Sequence, residues 1–234
     1  MLSNDVSAEW CEALLLTPKA RVIAPLSVWR RAPEDFLLLT EPGLGETVRS
    51  QLLRMRFRSH CEIGPEEHVS TIAFGEEGGI PNADYGEPAV ELLDDPREPT
   101  VGQEELEALR ILAGTPAFGR EIDDRVLPAE AGLTERAVSF TKGCYPGQEP
   151  IARLQYRGHA NRGLRVLELD GAELPEYDAE VAFDGKPVGR VTSAARRRGA
   201  VVALAYVRAE VPEDAELAIG SRAARPLDFA PSRP

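Results

Sequence analysis

Cysteine is scarce: the 234 residues contain three, Cys11, Cys61 and Cys144, far apart and never in a Cys-x-x-Cys pair. That spacing speaks against a disulfide framework and against a cysteine-ligated zinc or iron–sulfur site within the chain. Histidine is equally thin: His60, His68 and His159 show no i, i+4 metal spacing. Positive charge is in deficit, with 27 Lys and Arg against 39 Asp and Glu, a net charge of −12 and a pI near 4.9. A polyanion is repelled by such a surface at long range, which argues against broad nucleic-acid binding. The apolar run at residues 200–207 is too short to cross a bilayer. Met1-Leu2-Ser3-Asn4-Asp5 has no positive region followed by an apolar run, so no signal peptide is expected and a reducing cytoplasm is the simplest home. No internal repeat is visible.

What is present suits a globular protein of two or three compact units, with 43% hydrophobic residues. Residues 20–29 and 36–40 read as strands, and residues 46–58 as an amphipathic helix carrying Val48, Leu52, Leu53 and Met55. The order strand, strand, helix, strand predicts an α+β layer ending near residue 68. From residue 69, Gly75, Gly78, Gly79, Pro81, Gly86, Pro88, Pro96 and Pro99 predict an exposed, loop-rich stretch. Residues 103–113 predict a helix, which Gly114 ends and Pro116 keeps from continuing. Short apolar runs at 164–169, 180–183, 188–192, 200–207 and 216–219 predict a small antiparallel barrel or sandwich. Asp184-Gly185 and, more weakly, Arg198-Gly199 signal hairpins, and residues 226–234 read as a frayed tail.

One segment stands apart chemically. Between residues 142 and 165 lie Lys142, Arg153, Arg157, Arg162 and Arg165 against a single acid, Glu149. In so acidic a chain this predicts a site for an anionic partner; the alternative is a solvated face whose arginines pair with the acidic stretch at 83–124. Gly143 and Gly147 flank Cys144 and admit a ligand close to the backbone. Lys142 would lower the thiol pKa if the two side chains converge, whereas a cysteine buried in a tight turn would be inert. Tyr145 suits stacking on an aromatic ligand or filling a core, and Gln148 suits a heterocycle edge or a loop brace.

Lys142-Gly143-Cys144-Tyr145-Pro146-Gly147-Gln148-Glu149, followed by Ala152-Arg153 and Tyr156-Arg157-Gly158, resembles the signature of the YgfZ family, folate-binding relatives of the glycine-cleavage T protein. Residues 110–114, Pro116, Asp123, Leu127-Pro128 and Glu130-Ala131-Gly132-Leu133 fit the same family in order, as do Asn4-Asp5 and Leu16-Thr17-Pro18-Lys19. The resemblance implies a GcvT-like α+β fold: two α+β (ferredoxin-like) units at 1–68 and 69–160 and a C-terminal antiparallel β-barrel at 161–234. The family usually has a further strand and helix before Asn4-Asp5, so either Met1 is a late start or the first unit is shortened at its N-terminus.

The resemblance also implies tetrahydrofolate as cofactor. Glu130 would contact the pterin, because one carboxylate accepts two parallel hydrogen bonds from an aminopyrimidine edge. Arg162, a planar fork suited to carboxylate or carbonyl, would assist, with Tyr145 and Gln148 as further cofactor contacts and Cys144 and Lys142 as the chemical pair. The implied role is iron–sulfur cluster assembly or repair, with iron–sulfur proteins such as cluster-dependent tRNA-modifying enzymes as clients and tRNA contact through the basic segment. The alternative is a folate-dependent one-carbon transferase or demethylase. Two departures from the relatives matter. Pro25, in Ile23-Ala24-Pro25-Leu26, stands where the T protein carries the aspartate used in aminomethyl transfer, so glycine cleavage is not expected. Leu112 stands where relatives often have glutamate.

Overall fold

The computed structural model describes residues 1–56 and 60–227. The first sheet has the order β1-β2-β3, all antiparallel, from β1 (Trp10–Leu16), β2 (Val22–Ala32) and β3 (Asp35–Leu39). β1 is buried on both faces. Cys11, Ala13 and Leu15 pack with Leu26, Val28 and the helix residues Val48 and Leu52, while Leu14 and Leu16 point into a second cluster with Ile122, Tyr145 and Ile151. Two apolar faces erase the alternation that marks a half-exposed strand, which is why β1 is not legible as a strand. A bulge shifts the register so that Leu15 faces Ala24 but Leu16 faces Val22. The extra residue turns Val22 onto the Leu16 side, where it joins the second cluster. The order is thus strand, strand, strand, helix, and α1 (Gly45–Met55) buries the expected Val48 and Leu52. The last residues of the expected helix, 57 and 58, lie outside the described ones.

The stretch expected to be loop-rich is instead a second sheet, β4 (Ser70–Phe74), β5 (Ile80–Asn82) and β6 (Ala89–Leu93), in the order β4-β6-β5. Its glycines and prolines mostly occupy the connections, and Pro81 sits in the edge strand β5, where a missing N–H costs little. α2 (Gln103–Leu112) follows, and Gly114 at φ +67° ends it. Ala108 and Ile111 of α2 pack on Val166, Ala195, Val202 and Leu204, which fastens the helix to the outside of the third unit.

That unit is a closed barrel in the order β10-β7-β12-β11-β8-β9. Its strands are β7 (Arg162–Leu169), β8 (Glu180–Phe183), β9 (Lys186–Arg197), β10 (Ala200–Arg208), β11 (Leu217–Ile219) and β12 (Arg222–Pro226). Both expected hairpins form: Asp184 and Gly185, then Arg198 and Gly199, all take positive φ, the conformation whose twist matches the strands it joins. β10 carries its burial on two sides. Val201, Ala203, Ala205 and Val207 fill the barrel, Val202 and Leu204 meet α2, and Tyr206 reaches the cluster around Tyr145. β12 escaped the sequence reading because Arg-Ala-Ala-Arg-Pro offers no apolar alternation. Of the expected frayed tail, residues 228–234 lie outside the described ones. No helix among the described residues is long and apolar enough to cross a membrane.

Candidate functional site

The eight-residue motif runs from Lys142 into α4 (Gln148–Arg157), after the short α3 (Thr134–Ala137). Gly147 sits at φ +83°, and a Cβ there would meet the Thr17 carbonyl oxygen at 2.8 Å and the Ala20 Cα at 2.9 Å. Both the left-handed conformation and the close approach require glycine at this position. The motif thereby docks on the turn joining β1 to β2. That turn is itself closed by Thr17, whose Oγ1 accepts the Arg21 N–H at 3.0 Å.

Lys142 does not serve the thiol in this arrangement. Its Nζ donates to the carbonyls of Leu2 (2.7 Å) and Asn4 (2.9 Å) and lies 5.7 Å from the centre of the Tyr145 ring. Burial holds its pKa below the ordinary lysine value. The segment it grips lies along β1: the Ser3 N–H donates to Leu14, the Ser3 Oγ accepts the Leu14 N–H at 2.7 Å, and Asn4 donates to the Glu12 carbonyl at 2.8 Å. Lys142 therefore ties the start of the described chain, β1 and the motif into one body.

Cys144 is exposed, beside a Gly143 whose missing Cβ faces open space. Cys61 is exposed as well, whereas Cys11 is buried and its thiol pKa is pushed up by that burial. Tyr145 is 7% exposed and belongs to the core cluster, yet its buried Oη has no hydrogen-bond partner among the described residues. With Gln148 it lines a cleft of about 720 Å³ whose wall also carries Leu127, Leu154, Arg153 and Arg157. A smaller cavity of about 260 Å³ shares Leu127 and Leu154 and reaches Ala129 and Ala160.

Glu130 and Arg162 stand together, tied to Leu127, which lines both cavities. Arg162 Nε donates to Oε1 of Glu130 at 3.2 Å and Nη2 to Oε2 at 3.3 Å, while Oε2 also accepts the Leu127 N–H at 3.0 Å. The Arg162 guanidinium covers the face of Tyr206 at 4.5 Å, with Arg190 at 5.8 Å from the same ring. Tyr206 donates from Oη to the Glu121 carbonyl at 2.8 Å, and burial raises its pKa well above the ordinary tyrosine value.

The expected cluster of five cations is not gathered. Lys142 and Arg165 spend their donors on main-chain carbonyls, Arg165 on those of Val211 and Pro212, and Arg162 pairs with Glu130. Arg153 and Arg157 alone keep exposed heads on the cleft wall. Nor do the five pair with acids at 83–124, which find partners nearer by, such as Arg125 for Asp123 and Arg97 for Asp95. Among the described residues no group of three His, Cys, Asp or Glu side chains could hold a metal.

Sequence reasoning passed over Glu121. It is fully buried and accepts from Arg110 Nη1 (3.1 Å), the Ser193 hydroxyl (2.7 Å) and the Ala117 N–H (2.9 Å), so α2, the following loop and β9 meet on one carboxylate. One acid in a polar stretch carries no periodic signal, so nothing in the sequence marks it.

Residues 162–231 match the glycine cleavage T-protein C-terminal barrel domain. Over 215 residues the chain is 27% identical to an uncharacterised protein of Haemophilus influenzae, covering 85% of this chain and 77% of that one. It is 32% identical over 130 residues to the tRNA-modifying protein YgfZ of Edwardsiella ictaluri, covering 53% of this chain and 39% of that protein. These matches support a YgfZ/GcvT-like likeness for the chain. The aminomethyltransferase of Nostoc is 32% identical to the chain over 159 residues, covering 60% of this chain and 41% of that protein. The alignments with YgfZ and with the Nostoc protein thus span about two fifths of those relatives. The fold is GcvT-like: the crystal structure of the glycine cleavage system aminomethyltransferase T from Bartonella henselae superposes with a TM-score of 0.81 over 99% of this chain and 79% of that one, at 21% identity.

Proposed function

We propose that this protein binds tetrahydrofolate and supports iron–sulfur cluster assembly or repair in the cytoplasm, with cluster-dependent tRNA-modifying enzymes among its clients. The observation that carries the reading is the pairing of Glu130 with Arg162, held by the N–H of Leu127, which lines the same cleft as Tyr145 and Gln148 of the Cys144 motif. The residues fit the cofactor. Glu130 is a mostly buried carboxylate whose charged partner among the described residues, Arg162, meets it side-on, so an aminopyrimidine edge can replace that partner with two parallel donors. Arg162 keeps a second hold on Tyr206 when Glu130 turns to the ligand. Tyr145 and Gln148 would flank the remainder of the cofactor in the cleft. Bound tetrahydrofolate supplies one-carbon chemistry; the protein's own contribution is to hold it and to present the Cys144 thiol, whose thiolate is the nucleophilic form.

The second reading, aminomethyl or methyl transfer, draws on the likeness to the Nostoc aminomethyltransferase. Against it, Pro25 lies opposite Leu14 within the first sheet and brings no carboxylate of its own to orient an amine. Calorimetric titration with tetrahydrofolate tests the shared premise. Rescue of cluster-dependent tRNA modification in a strain lacking its own family member, set beside formaldehyde release from glycine-type amines, separates the two readings.

A further inference from the structure

Tyr206 has a guanidinium on each flank. β10 runs between β9 and β7, and Tyr206 faces Arg190 on the one and Leu164 on the other. Arg162 is two residues from Leu164 on β7, so it shares that face of the sheet. The Arg162 and Arg190 guanidinium carbons lie 4.5 Å and 5.8 Å from the ring centre. The ring is pinned between them: it is 1% exposed, and its Oη is bonded to the Glu121 carbonyl. Gly189 brings β9 close, since a Cβ there would meet the Tyr206 carbonyl oxygen at 2.1 Å. Each cation has one ion-paired acid among the described residues, Glu130 for Arg162 and Asp178 for Arg190. Asp178 is fixed in place, because its N–H donates to the Val191 carbonyl at 3.0 Å. Arg190 also meets the Tyr177 ring, at 5.9 Å, and Asp123, whose charge reaches Arg190, is paired with Arg125. Two ion pairs thus stand on either side of one aromatic ring, and a pteridine that takes Glu130 opens only one of them.

We infer that Arg190 is a positioning residue for the Glu130 site and that Asp178 sets its strength. The inference rests on the folate reading and adds a control on that site. Turning Glu130 to the ligand leaves Arg162 with the face of Tyr206, a weaker hold than a carboxylate. A second guanidinium across the ring raises the cost of that step, because like charges repel more strongly where water is excluded between them. Arg190 therefore presses Arg162 onto Glu130 and keeps the carboxylate in place until a ligand with two parallel donors takes it. Asp178 neutralises part of the Arg190 charge and so eases the exchange.

The test measures tetrahydrofolate affinity by calorimetric titration for the full chain and for Arg190→Gln, Arg190→Lys and Asp178→Asn, with circular dichroism to show that each variant is folded. Asparagine tolerates the left-handed backbone of Asp178, at φ +64°, so that variant keeps the turn. Removing the Arg190 charge should tighten binding roughly two- to fivefold, the scale of a single partly exposed charge pair. Removing the Asp178 charge should weaken binding by a similar factor, and Arg190→Lys, which keeps its charge, should bind like the parent. Loss of a merely structural arginine would weaken binding, so tighter binding is the mark of the positioning role. Both changes should shrink with added salt. A second readout needs no ligand: Glu130→Gln should lower the melting temperature more in the parent than in Arg190→Gln, because Arg162 needs its carboxylate most when Arg190 is charged. Unchanged or weaker binding by Arg190→Gln, or a shift in the same direction by Asp178→Asn, overturns the inference while folate binding stands. If the parent takes up no tetrahydrofolate, the cofactor reading fails and the melts decide alone: coupling between Glu130 and Arg190 supports the positioning role, and additive losses end it.

Discussion

Arg162 lies flat against Glu130, with its Nε on one carboxylate oxygen at 3.2 Å and its Nη2 on the other at 3.3 Å. The pair spans the seam between the loop that follows α2 and the first barrel strand. Removing the carboxylate therefore does two things: it strips a ligand contact and frees a cation held on Tyr206. Glu130→Ala should weaken tetrahydrofolate binding by roughly 1–3 kcal/mol, the cost of leaving polar groups unpaired. A titration in which the variant matches the parent would falsify the assignment of Glu130.

The thiols should sort by position. Cys61 and Cys144 are exposed and Cys11 is buried, its pKa raised by that burial. An aromatic disulfide reagent at neutral pH is expected to titrate two thiols in the native protein and the third only on unfolding. Cys144→Ala should remove one of the fast thiols, keep the parent's melting curve and fail to complement. Full complementation by that variant would reduce the thiol to a surface ornament of the motif.

Lys142 was expected to act on Cys144, and its hydrogen bonds to Leu2 and Asn4 give it a different task. Lys142→Met keeps the stem and removes both bonds, so a loss of about 1.5–3 kcal/mol is expected, the range for hydrogen bonds to a charged donor. The loss should appear first as faster hydrogen exchange at the Ser3 and Leu14 amides, which bond one another's residues along β1. Unchanged protection at those amides would leave Lys142 without this clamping role.

Legibility followed the kind of signal each element carries. Barrel strands β7 to β10 were readable because short apolar runs are separated by glycine turns, and α2 because Leu109 and Leu112 recur beside a glycine stop. β1 was hidden by burial on both faces, and β4 to β6 by connections whose glycines and prolines outweigh strands of three to five residues. The motif was visible as a string, but its geometry was not. Nothing in the order of residues 142–149 says that Gly147 must touch Thr17, or that Lys142 must reach back to Leu2. Such contacts across more than a hundred positions are set by packing, which single-sequence periodicity does not encode. The basic segment misled for the same reason: clustering along the chain put five cations together, and the fold sent three of them to separate partners.

Glu121 offers a test of the joint between α2 and the barrel. It is wholly buried, and Arg110, its partner, is nearly so. Replacing Glu121 by alanine leaves the guanidinium without its carboxylate, and breaking a buried pair in this way costs about 3–5 kcal/mol. Arg110 retains Glu107, which should place the loss at the lower end of that range. Because Tyr206 donates to the Glu121 main-chain carbonyl, which the substitution keeps, the Tyr206 contact should survive. A denaturant melt showing under 1 kcal/mol of loss would mean that the network is not what holds α2 to β9.

A last prediction concerns pH. His68 bridges Asp94, through Nδ1 at 2.8 Å, and Glu66, through Nε2 at 3.2 Å, and Glu66 also holds Arg31 of β2 at 2.8 Å. The chain of charges ties the first sheet to the second. The hydrogen bonds to Asp94 and then Glu66 raise the His68 pKa above its ordinary value of 6.5, and those to Arg31 and then His68 bring Glu66 down to about 2. A raised histidine stabilises the fold fully below its unfolded pKa, and the contribution is lost as pH climbs through the raised folded value. Glu66 stays ionised throughout that window, so His68 is the group that titrates. Melting temperature should therefore fall from pH 6 to pH 8 more steeply in the parent than in His68→Asn, and added salt should shrink the difference because the groups are exposed. Parallel profiles for the two proteins would show that the bridge between the sheets owes nothing to the imidazolium.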